Sequence, residues 1–293
     1  MPMWGMGPRL VVVDVGDPAR PVGRTGALPD LARGVAVSGT CAYVAAWTAG
    51  LRVIDVSDPS SPQEASSYDT RGDAWDVACR GMRVYVADGD LGGLRVMDAS
   101  DPSSPREAGA YDTPGVAFGV TVSGTYAYVT DGAKGLRGID GSDPSSPREV
   151  GFYETPGRAH SVAVSGAHAY VADAWTGLRG IEVSDPSSPR EAGFYDTPGD
   201  ARGVAVSGAY AYVADGNEGL RVIDASDPSS PREVGVYDTP GVASSVAISG
   251  TYAYVVDRLA GLRVMDVSDP SSPREVGFYE TPGDASGVVV SGP

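Results

Sequence analysis

The sequence predicts an all-β protein built from repeats, and three observations support this prediction. Asp-Pro turns recur along the chain at intervals of 41 to 43 residues. Short runs of Val, Ile, Ala and Tyr alternate with clusters of Gly, Pro, Asp and Ser, which is typical of strands joined by tight turns. No segment of about ten residues or more has helical periodicity. The seven turns lie at Asp17, Asp58, Asp101, Asp143, Asp185, Asp227 and Asp269.

Each repeat contains four short strands, which we name A to D in chain order. In the last complete repeat, strand A is 245–249 (SVAIS), strand B is 252–257 (YAYVVD), strand C is 262–267 (LRVMDV) and strand D is 275–279 (EVGFY). Repeats of about 40–45 residues with four strands each are typical of β-propeller blades. The sequence therefore predicts a seven-bladed β-propeller with four antiparallel strands per blade. It also predicts that residues 1–293 form one domain.

The two ends of the chain are expected to complete one blade together. Residues 287–292 (GVVVSG) have the pattern of a strand A with no strand B after them. The N-terminus starts at the position of a strand B, although Met1–Trp4 is a poor copy of that strand, and 10–15 has the pattern of a strand C. We expect the C-terminal strand A to join strands B, C and D from the N-terminus, because this closure hides two sheet edges.

Composition excludes several classes of partner. Asp and Glu outnumber Lys and Arg by 38 to 22, which gives a formal net charge of −16. An acidic surface repels phosphate backbones and anionic headgroups, so we expect no nucleic acid partner. The chain has no run of about 18 apolar residues, so we expect no insertion into a membrane. The first ten residues lack the basic start and long apolar core of a signal peptide. We expect a monomer.

Two cysteines are present, Cys41 at the start of a strand B and Cys79 in strand A of the next repeat. They could be neighbours across the gap between two blades, but their spacing does not require a disulfide. Two buried free thiols are the favoured interpretation, and a disulfide is the alternative.

The parts that agree between repeats predict architecture. The acidic residue near the end of strand C is expected to stabilise the SDPSSP turn, because its carboxylate would accept hydrogen bonds from that turn. The Tyr of strand D is expected to pack between blades with its hydroxyl near solvent. The acidic residues are Asp55, Asp98, Asp140, Glu182, Asp224 and Asp266. The tyrosines are Tyr68, Tyr111, Tyr153, Tyr195, Tyr237 and Tyr279.

The parts that differ between repeats fall in two places, the residues that precede strand A and the loop between strands B and C. Strands alternate in direction, so the D–A and B–C connections lie on one face of the propeller, which we call the variable face. All four tryptophans map onto this face or beside it: Trp4, Trp47, Trp75 and Trp175. The B–C loops are 45–50, 87–93, 130–135, 172–177, 214–219 and 256–261.

This clustering suggests a ligand site for a protein, a peptide or a carbohydrate. Aromatic side chains on one surface can stack on sugars or hold peptide side chains. The alternative is that they pack over the blade ends and close the mouth of the central channel. The candidate contacts are Trp47, Trp75, Phe118 and Trp175, with Arg33, His160 and Arg202 as polar groups.

The sequence gives little support to catalysis or to metal binding. His160 and His168 stand at opposite ends of one predicted strand, so they cannot share a metal or an active site. The chain lacks a Gly-x-Ser-x-Gly elbow, a P-loop and a CxxC motif, and we expect no cofactor and no metal. The acidic fragments 88–90 and 215–218 are interpreted as turns rather than calcium loops. Arg71-Gly72-Asp73 is interpreted as a chance tripeptide. An enzyme that uses Asp76, His160 and Arg202 is the least favoured hypothesis.

The segment LRVIDVSDPSSP at 51–62, with copies at 94–105 and 220–231, resembles the LVIVD-repeat proteins. The resemblance covers essentially the whole chain. It implies a β-propeller of bacterial or archaeal type, often found on surface or exported proteins, so an extracellular or cell-surface location is expected. It implies no defined activity and carries no catalytic motif. We therefore expect a non-catalytic binding or scaffold module, and the alternative is a purely structural scaffold with no ligand site.

Overall fold

A computed structural model describes residues 8–291 of the chain. It begins with a two-stranded antiparallel sheet and continues with six four-stranded antiparallel sheets. The two-stranded sheet consists of β1 (Arg9–Asp14) and β2 (Val22–Ala27). Each four-stranded sheet is a propeller blade, because its strands follow one another in chain order as A, B, C and D.

The first three blades are built from consecutive strands. Blade 1 has β3 (Gly34–Ser38), β4 (Cys41–Ala45), β5 (Leu51–Asp55) and β6 (Gln63–Tyr68). Blade 2 has β7 (Asp76–Arg80), β8 (Arg83–Ala87), the short helix α1 (Gly89–Gly92), β9 (Leu94–Asp98) and β10 (Arg106–Tyr111). Blade 3 has β11 (Gly119–Ser123), β12 (Tyr126–Thr130), β13 (Leu136–Asp140) and β14 (Arg148–Tyr153).

The last three blades repeat this plan. Blade 4 has β15 (Ser161–Ser165), β16 (His168–Ala172), β17 (Leu178–Glu182) and β18 (Arg190–Tyr195). Blade 5 has β19 (Gly203–Ser207), β20 (Tyr210–Ala214), β21 (Leu220–Asp224) and β22 (Arg232–Tyr237). Blade 6 has β23 (Ala243–Ser249), β24 (Tyr252–Asp257), β25 (Gly261–Asp266) and β26 (Arg274–Tyr279).

The core lies between neighbouring blades. Strands A of successive blades contact one another around the centre, and strands B and C are the most buried strands of each blade. Between blades 1 and 2, for example, Tyr43 and Val53 pack with Val77 and Met97. Burial of such side chains contributes about 25 cal/mol per Å² of apolar area removed from water. Because both faces of an inner strand meet other blades, Val, Ala and Tyr occur there in nearly unbroken runs.

The predicted roles of the agreeing residues are confirmed. The Asp55 carboxylate accepts a hydrogen bond from the amide of Ser57 at 2.8 Å, and the copies at Asp98, Asp140, Asp224 and Asp266 do the same with their own serines. In the variant copy, the Ser184 hydroxyl donates to Glu182.

The strand D tyrosines pack at the edges of the interblade cores. The hydroxyls of Tyr111 and Tyr237 each donate to a glutamate on strand D of the next blade, Glu149 and Glu275, at 3.4 Å. These contacts tie the outer rims of neighbouring blades together.

The prediction of seven four-stranded blades is wrong, because residues 8–291 form six. Residues 284–291 form no strand, although Ser286 and Gly287 approach Ser244 of blade 6 and Gly34 of blade 1. In the full blades, strand A is held by its ladder to strand B of the same blade. The strand B expected at Met1–Trp4 lies outside the described residues. Only strands C and D of the N-terminal repeat, β1 and β2, therefore pair as predicted.

The two-stranded sheet stands between blade 6 and blade 1. The β1–β2 turn reaches strand β26 of blade 6, where Pro18 lies against Gly277. On the other side, Leu10 packs with Val44 and Ile54 of blade 1. A cavity of about 400 Å³ with mainly apolar walls lies at this junction, between β1, blade 1 and residues 284–291.

Cys41 and Cys79 are free thiols at the core between blades 1 and 2, as the favoured interpretation predicts, although Cys41 is buried and Cys79 is only half-buried. Burial raises the pKa of the Cys79 thiol to about 12. Within residues 8–291, no helix has the length and apolar character needed to cross a membrane.

Candidate functional site on the variable face

Backbone bridges show that the D–A and B–C connections share one face, as predicted. In each of five places, the B–C loop of one blade pairs with the D–A segment of the next blade. Trp47 and Ala74 exchange two backbone hydrogen bonds of 3.1 and 3.0 Å in this way. The two sets of differing residues therefore form one continuous surface across blades 1 to 6.

Equivalent backbone bonds place the residue just before strand A at the same level in blades 1 to 5. Its amide donates to the last residue of strand B, for example from Trp75 to Ala87 and from Phe118 to Thr130, both at 2.8 Å. Arg33, His160 and Arg202 are held by the same bond. Side chains that are about 42 residues apart in sequence consequently become neighbours around the channel.

Six side chains form a connected series across blades 1 to 4, which we call the aromatic arc: Arg33, Trp47, Trp75, Phe118, Arg158 and His160. The Cζ atom of Arg33 lies over both indole rings, 4.8 Å from the centre of Trp47 and 4.7 Å from that of Trp75. The ring centre of Trp75 is 4.9 Å from that of Phe118, edge to face.

The arc continues into blade 4. The ring centres of Phe118 and His160 are 5.2 Å apart, and the Cζ atom of Arg158 lies 4.5 Å from the centre of Phe118. Five of the seven predicted site residues therefore fall in one series. Phe118 is only 7% exposed, so it packs beneath the arc, whereas Arg33, Trp47, Trp75 and His160 are half-buried.

The backbone of Trp47 is strained. Its φ of +42° lies in the left-handed region, and the equivalent positions in blades 2, 3 and 5 are Gly89, Gly132 and Gly216. A non-glycine residue in this conformation costs about 1–2 kcal/mol. Among the described residues, only Ala174, at the same position in blade 4, shares this feature. Blade 1 therefore keeps a large aromatic residue at a position that favours glycine.

Two arginines of the arc have no carboxylate partner among the described residues. Arg202 is bonded to Asp200 at 3.0 Å, and Arg258 to Asp284 at 3.5 Å, but neither Arg33 nor Arg158 forms an ion pair within residues 8–291. Burial, and then the nearby charge of Arg258, lowers the pKa of Arg33. The Nε atom of Arg33 and the indole Nε1 of Trp47 are buried without a hydrogen-bond partner in the described structure.

The remaining predicted site residues stand apart from the arc. Trp175 is 66% exposed and has no aromatic partner within residues 8–291. Arg202 is occupied by its bond to Asp200. Trp4 lies outside the described residues. His168 pairs with Ser165 at the far end of its hairpin, away from His160, as predicted.

The three residues of the enzyme hypothesis are not joined by any hydrogen bond or ion pair among the described residues. Asp76 is half-buried at the start of β7, where one carboxylate oxygen accepts a hydrogen bond from the Val120 amide of blade 3 at 3.0 Å. Burial raises the pKa of Asp76 to about 6. Burial also lowers the pKa of His160, and Arg158 and Arg202 lower it further, against the opposing effect of Asp200.

Sequence reasoning missed a buried acidic residue that anchors the B–C loop in blades 2 to 6. In blade 4, Asp173 is fully buried and accepts hydrogen bonds from the Gly157 amide at 2.8 Å and the Thr155 hydroxyl at 2.6 Å. Its carboxylate also lies 3.9 Å from Nε of Arg179. The equivalents are Asp88, Asp131, Asp215 and Asp257.

A signal for these anchors is present in the sequence, because the same Asp recurs in five B–C loops that otherwise differ. Blade 1 has Ala46 at this position, so the loop that carries Trp47 lacks the anchor. The same anchors explain the acidic fragments 88–90 and 215–218, which are parts of B–C loops rather than calcium loops. Asp88 precedes α1 and Asp215 opens a turn, and no cluster of metal-ligating side chains occurs in the described part of the chain.

Comparison with known proteins identifies the family. Six matches to the LVIVD-repeat model cover 31–70, 71–113, 114–155, 156–197, 198–239 and 240–281. The chain belongs to the LVIVD-repeat family. Each match coincides with one full blade of this LVIVD-repeat protein, and none includes β1 or β2. A search of curated proteins found no match to the chain.

Solved structures similar to this LVIVD-repeat protein share its fold. One is a functionally unknown protein from Desulfotomaculum acetoxidans, with 14% identity over 96% of this chain and 98% of that chain, and a TM-score of 0.78. Another is a candidate 6-phosphogluconolactonase from Bacteroides uniformis, with 16% identity over 87% of each chain and a TM-score of 0.74. A third is U3-55K, with 10% identity over 97% of this chain and 88% of that chain, and a TM-score of 0.73.

Proposed function

We propose that this LVIVD-repeat protein is a non-catalytic binding module whose ligand site is the aromatic arc. The observation that carries the proposal is the placement of Arg33 over both Trp47 and Trp75, without a carboxylate partner among the described residues. A partly buried cation without a counter-charge is costly, and a ligand that supplies the missing interactions recovers that cost.

The strained backbone of Trp47 supports the same proposal. Strain of this kind persists where the surroundings over-determine it, and it is concentrated at binding and switch sites. Glycine occupies the equivalent position in three other blades, so the fold itself does not require tryptophan there. The side chain of Trp47 is what the strained conformation places against Arg33.

The second candidate is a structural scaffold with no ligand site. It is favoured by the burial of Phe118, which is 7% exposed and packed against both Trp75 and His160. In this alternative the arc only closes the channel mouth. The cavity at the junction beside β1 touches the arc only at Arg33, because none of the other five arc residues lines it.

A binding screen against peptide and glycan arrays distinguishes the two. We expect at least one saturable binder whose affinity falls about tenfold or more in Trp75→Ala, since truncation of an aromatic contact costs more than about 1.4 kcal/mol at a central position. Phe152→Ala is the matched control, because Phe152 also stacks on an arginine, Arg137, but on the outer strand β14. Binding that is absent, or equally reduced by both substitutions, would favour the scaffold.

The enzyme hypothesis has a separate test. A broad hydrolase screen of the wild-type protein and of His160→Ala should show no activity that depends on His160. An activity that disappears in His160→Ala with the fold intact would replace the binding proposal.

A further inference from the structure

We infer that the ligand of the aromatic arc is an acidic peptide segment, and that Arg33 binds one of its carboxylates. This inference rests on the proposed function and adds the chemical class of the ligand. It follows from the charge, the geometry and the exposure of the arc.

The charge of the arc is opposite to that of the molecule. The chain has a net charge of −16, yet the charged members of the arc are the arginines Arg33 and Arg158. Arg258, although paired with Asp284, is close enough to lower the pKa of Arg33. The arc is therefore a small cationic area on an acidic protein, and such an area attracts anions.

Two carboxylates lie near Arg33, but neither is paired with it. The Asp30 carboxylate accepts hydrogen bonds from the Thr48 hydroxyl and from the Leu31 amide. Asp73 acts on Arg33 only through its charge. These two groups moderate the local positive charge, so a singly charged carboxylate suits the site better than a doubly charged phosphate.

The geometry restricts how Arg33 can meet a ligand. Its Cζ atom lies over two indole rings, and its Nε is buried without a partner. The two terminal NH₂ groups are therefore the donors left for a ligand. A planar guanidinium presents such donors as a fork that matches both oxygens of a carboxylate. Partial burial strengthens this pairing, because the effective dielectric constant is lower than in water.

The exposure of the rings favours a peptide over a carbohydrate. Sugar recognition uses open ring faces, but one face of Trp47 and one of Trp75 are covered by Arg33, and Phe118 is nearly buried. Trp175, which is strongly exposed, lies outside the arc. An aspartate or glutamate side chain can reach Arg33 from an extended peptide without displacing these stacked groups.

The test uses hexaglutamate, hexaglutamine and oligogalacturonate as probes, measured by calorimetry with the whole chain at low ionic strength. We expect hexaglutamate to bind, hexaglutamine to bind at least about tenfold more weakly, and the affinity to fall as salt is added. Arg33→Gln should weaken hexaglutamate binding about tenfold or more. Arg148→Gln is the control, because Arg148 is exposed and paired with Asp140 near the opposite face.

Three outcomes would overturn the inference. Equal binding of hexaglutamate and hexaglutamine would show that the ligand's carboxylates are not recognised. Unchanged hexaglutamate affinity in Arg33→Gln would show that Arg33 does not bind the ligand. Preferential binding of oligogalacturonate would show that the ligand is an acidic sugar and not a peptide. Arg33→Lys keeps the charge and guards against a folding defect, and it should bind more weakly than wild type because lysine lacks the planar fork. If an array ligand depends on Trp75 but not on Arg33, the proposed binding function survives and only this inference fails.

Discussion

The guanidinium of Arg33, in blade 1, lies 4.7 Å from the ring centre of Trp75, in blade 2. The two residues are brought together because each is fixed by the same backbone bond to the end of its own strand B. The contact therefore depends on the alignment of blades 1 and 2, and it forms part of the proposed ligand site.

We expect Arg33 and Trp75 to be energetically coupled. A partly buried cation–π pair contributes about 1 kcal/mol, so the double-mutant cycle of Arg33→Ala and Trp75→Ala should give a coupling of this size in denaturant unfolding. The cycle of Arg33→Ala with Trp175→Ala serves as the control and should be additive. Additivity in both cycles would show that the stacked arrangement does not contribute to stability.

The buried Asp173 should contribute strongly to stability. Asp173→Ala leaves the Gly157 amide, the Thr155 hydroxyl and the Arg179 guanidinium short of a partner, and breaking a buried pair of this kind costs about 3 kcal/mol. Chemical denaturation measures the change. Asp185→Ala, which removes an exposed carboxylate from the SDPSSP turn of the same blade, should cost much less. Similar losses in the two variants would contradict a special role for the loop anchor.

A comparison of two glycine-to-alanine substitutions should distinguish the cost of backbone strain from the cost of a contact with Phe118. Gly124 has a φ of +60° and no atom within 4 Å of the place that a Cβ would take, so Gly124→Ala should cost about 1 kcal/mol from strain alone. Gly132 has a φ of +58°, and a Cβ there would lie 3.2 Å from the Phe118 ring. Gly132→Ala should therefore cost more than Gly124→Ala in thermal or denaturant unfolding. An equal cost would mean that Phe118 moves freely, contrary to its burial.

Asp76 should make the protein less stable as the pH rises from about 4 to 6. Its pKa is about 6 in the folded protein, against 3.8 without the fold, so the unfolded chain releases the proton first over this interval. The loss amounts to at most about 3 kcal/mol and is complete above pH 6. The Asp76→Asn variant should not show this loss of stability. Asp224 and Asp266, whose pKa values are lowered to about 2, affect the wild type and the variant equally. Parallel stability curves for the two proteins between pH 4 and 7 would refute this assignment.

His160 should titrate below the ordinary imidazole pKa of 6.5, because it is partly buried and two arginines are close. The chain has only two histidines, so NMR of the imidazole carbons can follow each one separately. Arg158→Gln removes one of the nearby charges and should raise the pKa of His160 towards 6.5. A titration of His160 that is unaffected by this substitution would indicate that Arg158 does not stay at the arc in solution.

Most of the blade architecture could be predicted because it depends on short-range patterns. The position of Asp55 before its Pro-containing turn and that of Tyr111 on strand D repeat every 42 residues or so, and each role follows from local geometry. The number of full blades could not be obtained in this way. A repeat such as that of Asp17 reveals a turn, but a blade also requires strand A to pair with strand B, and residues 284–291 do not do so in the structure.

The candidate site was predicted only in outline. The sequence indicates that Trp47, Trp75, Phe118 and His160 share a face, since blade topology decides this. It does not indicate that Arg33 inserts between two indoles, because that contact depends on side-chain directions in two separate repeats. The exposed position of Trp175 likewise depends on its place one residue after the strained position that Trp47 occupies in blade 1.

The two-stranded sheet also determines how the molecule would respond to mechanical force. Residue 8 leads into β1, and residues 284–291 lie against the same junction between blades 6 and 1. A load applied between residues 8 and 291 would therefore act first on this junction, where only one pair of strands is hydrogen-bonded. The six full blades would bear the load only after the junction has opened, one blade after another along the chain.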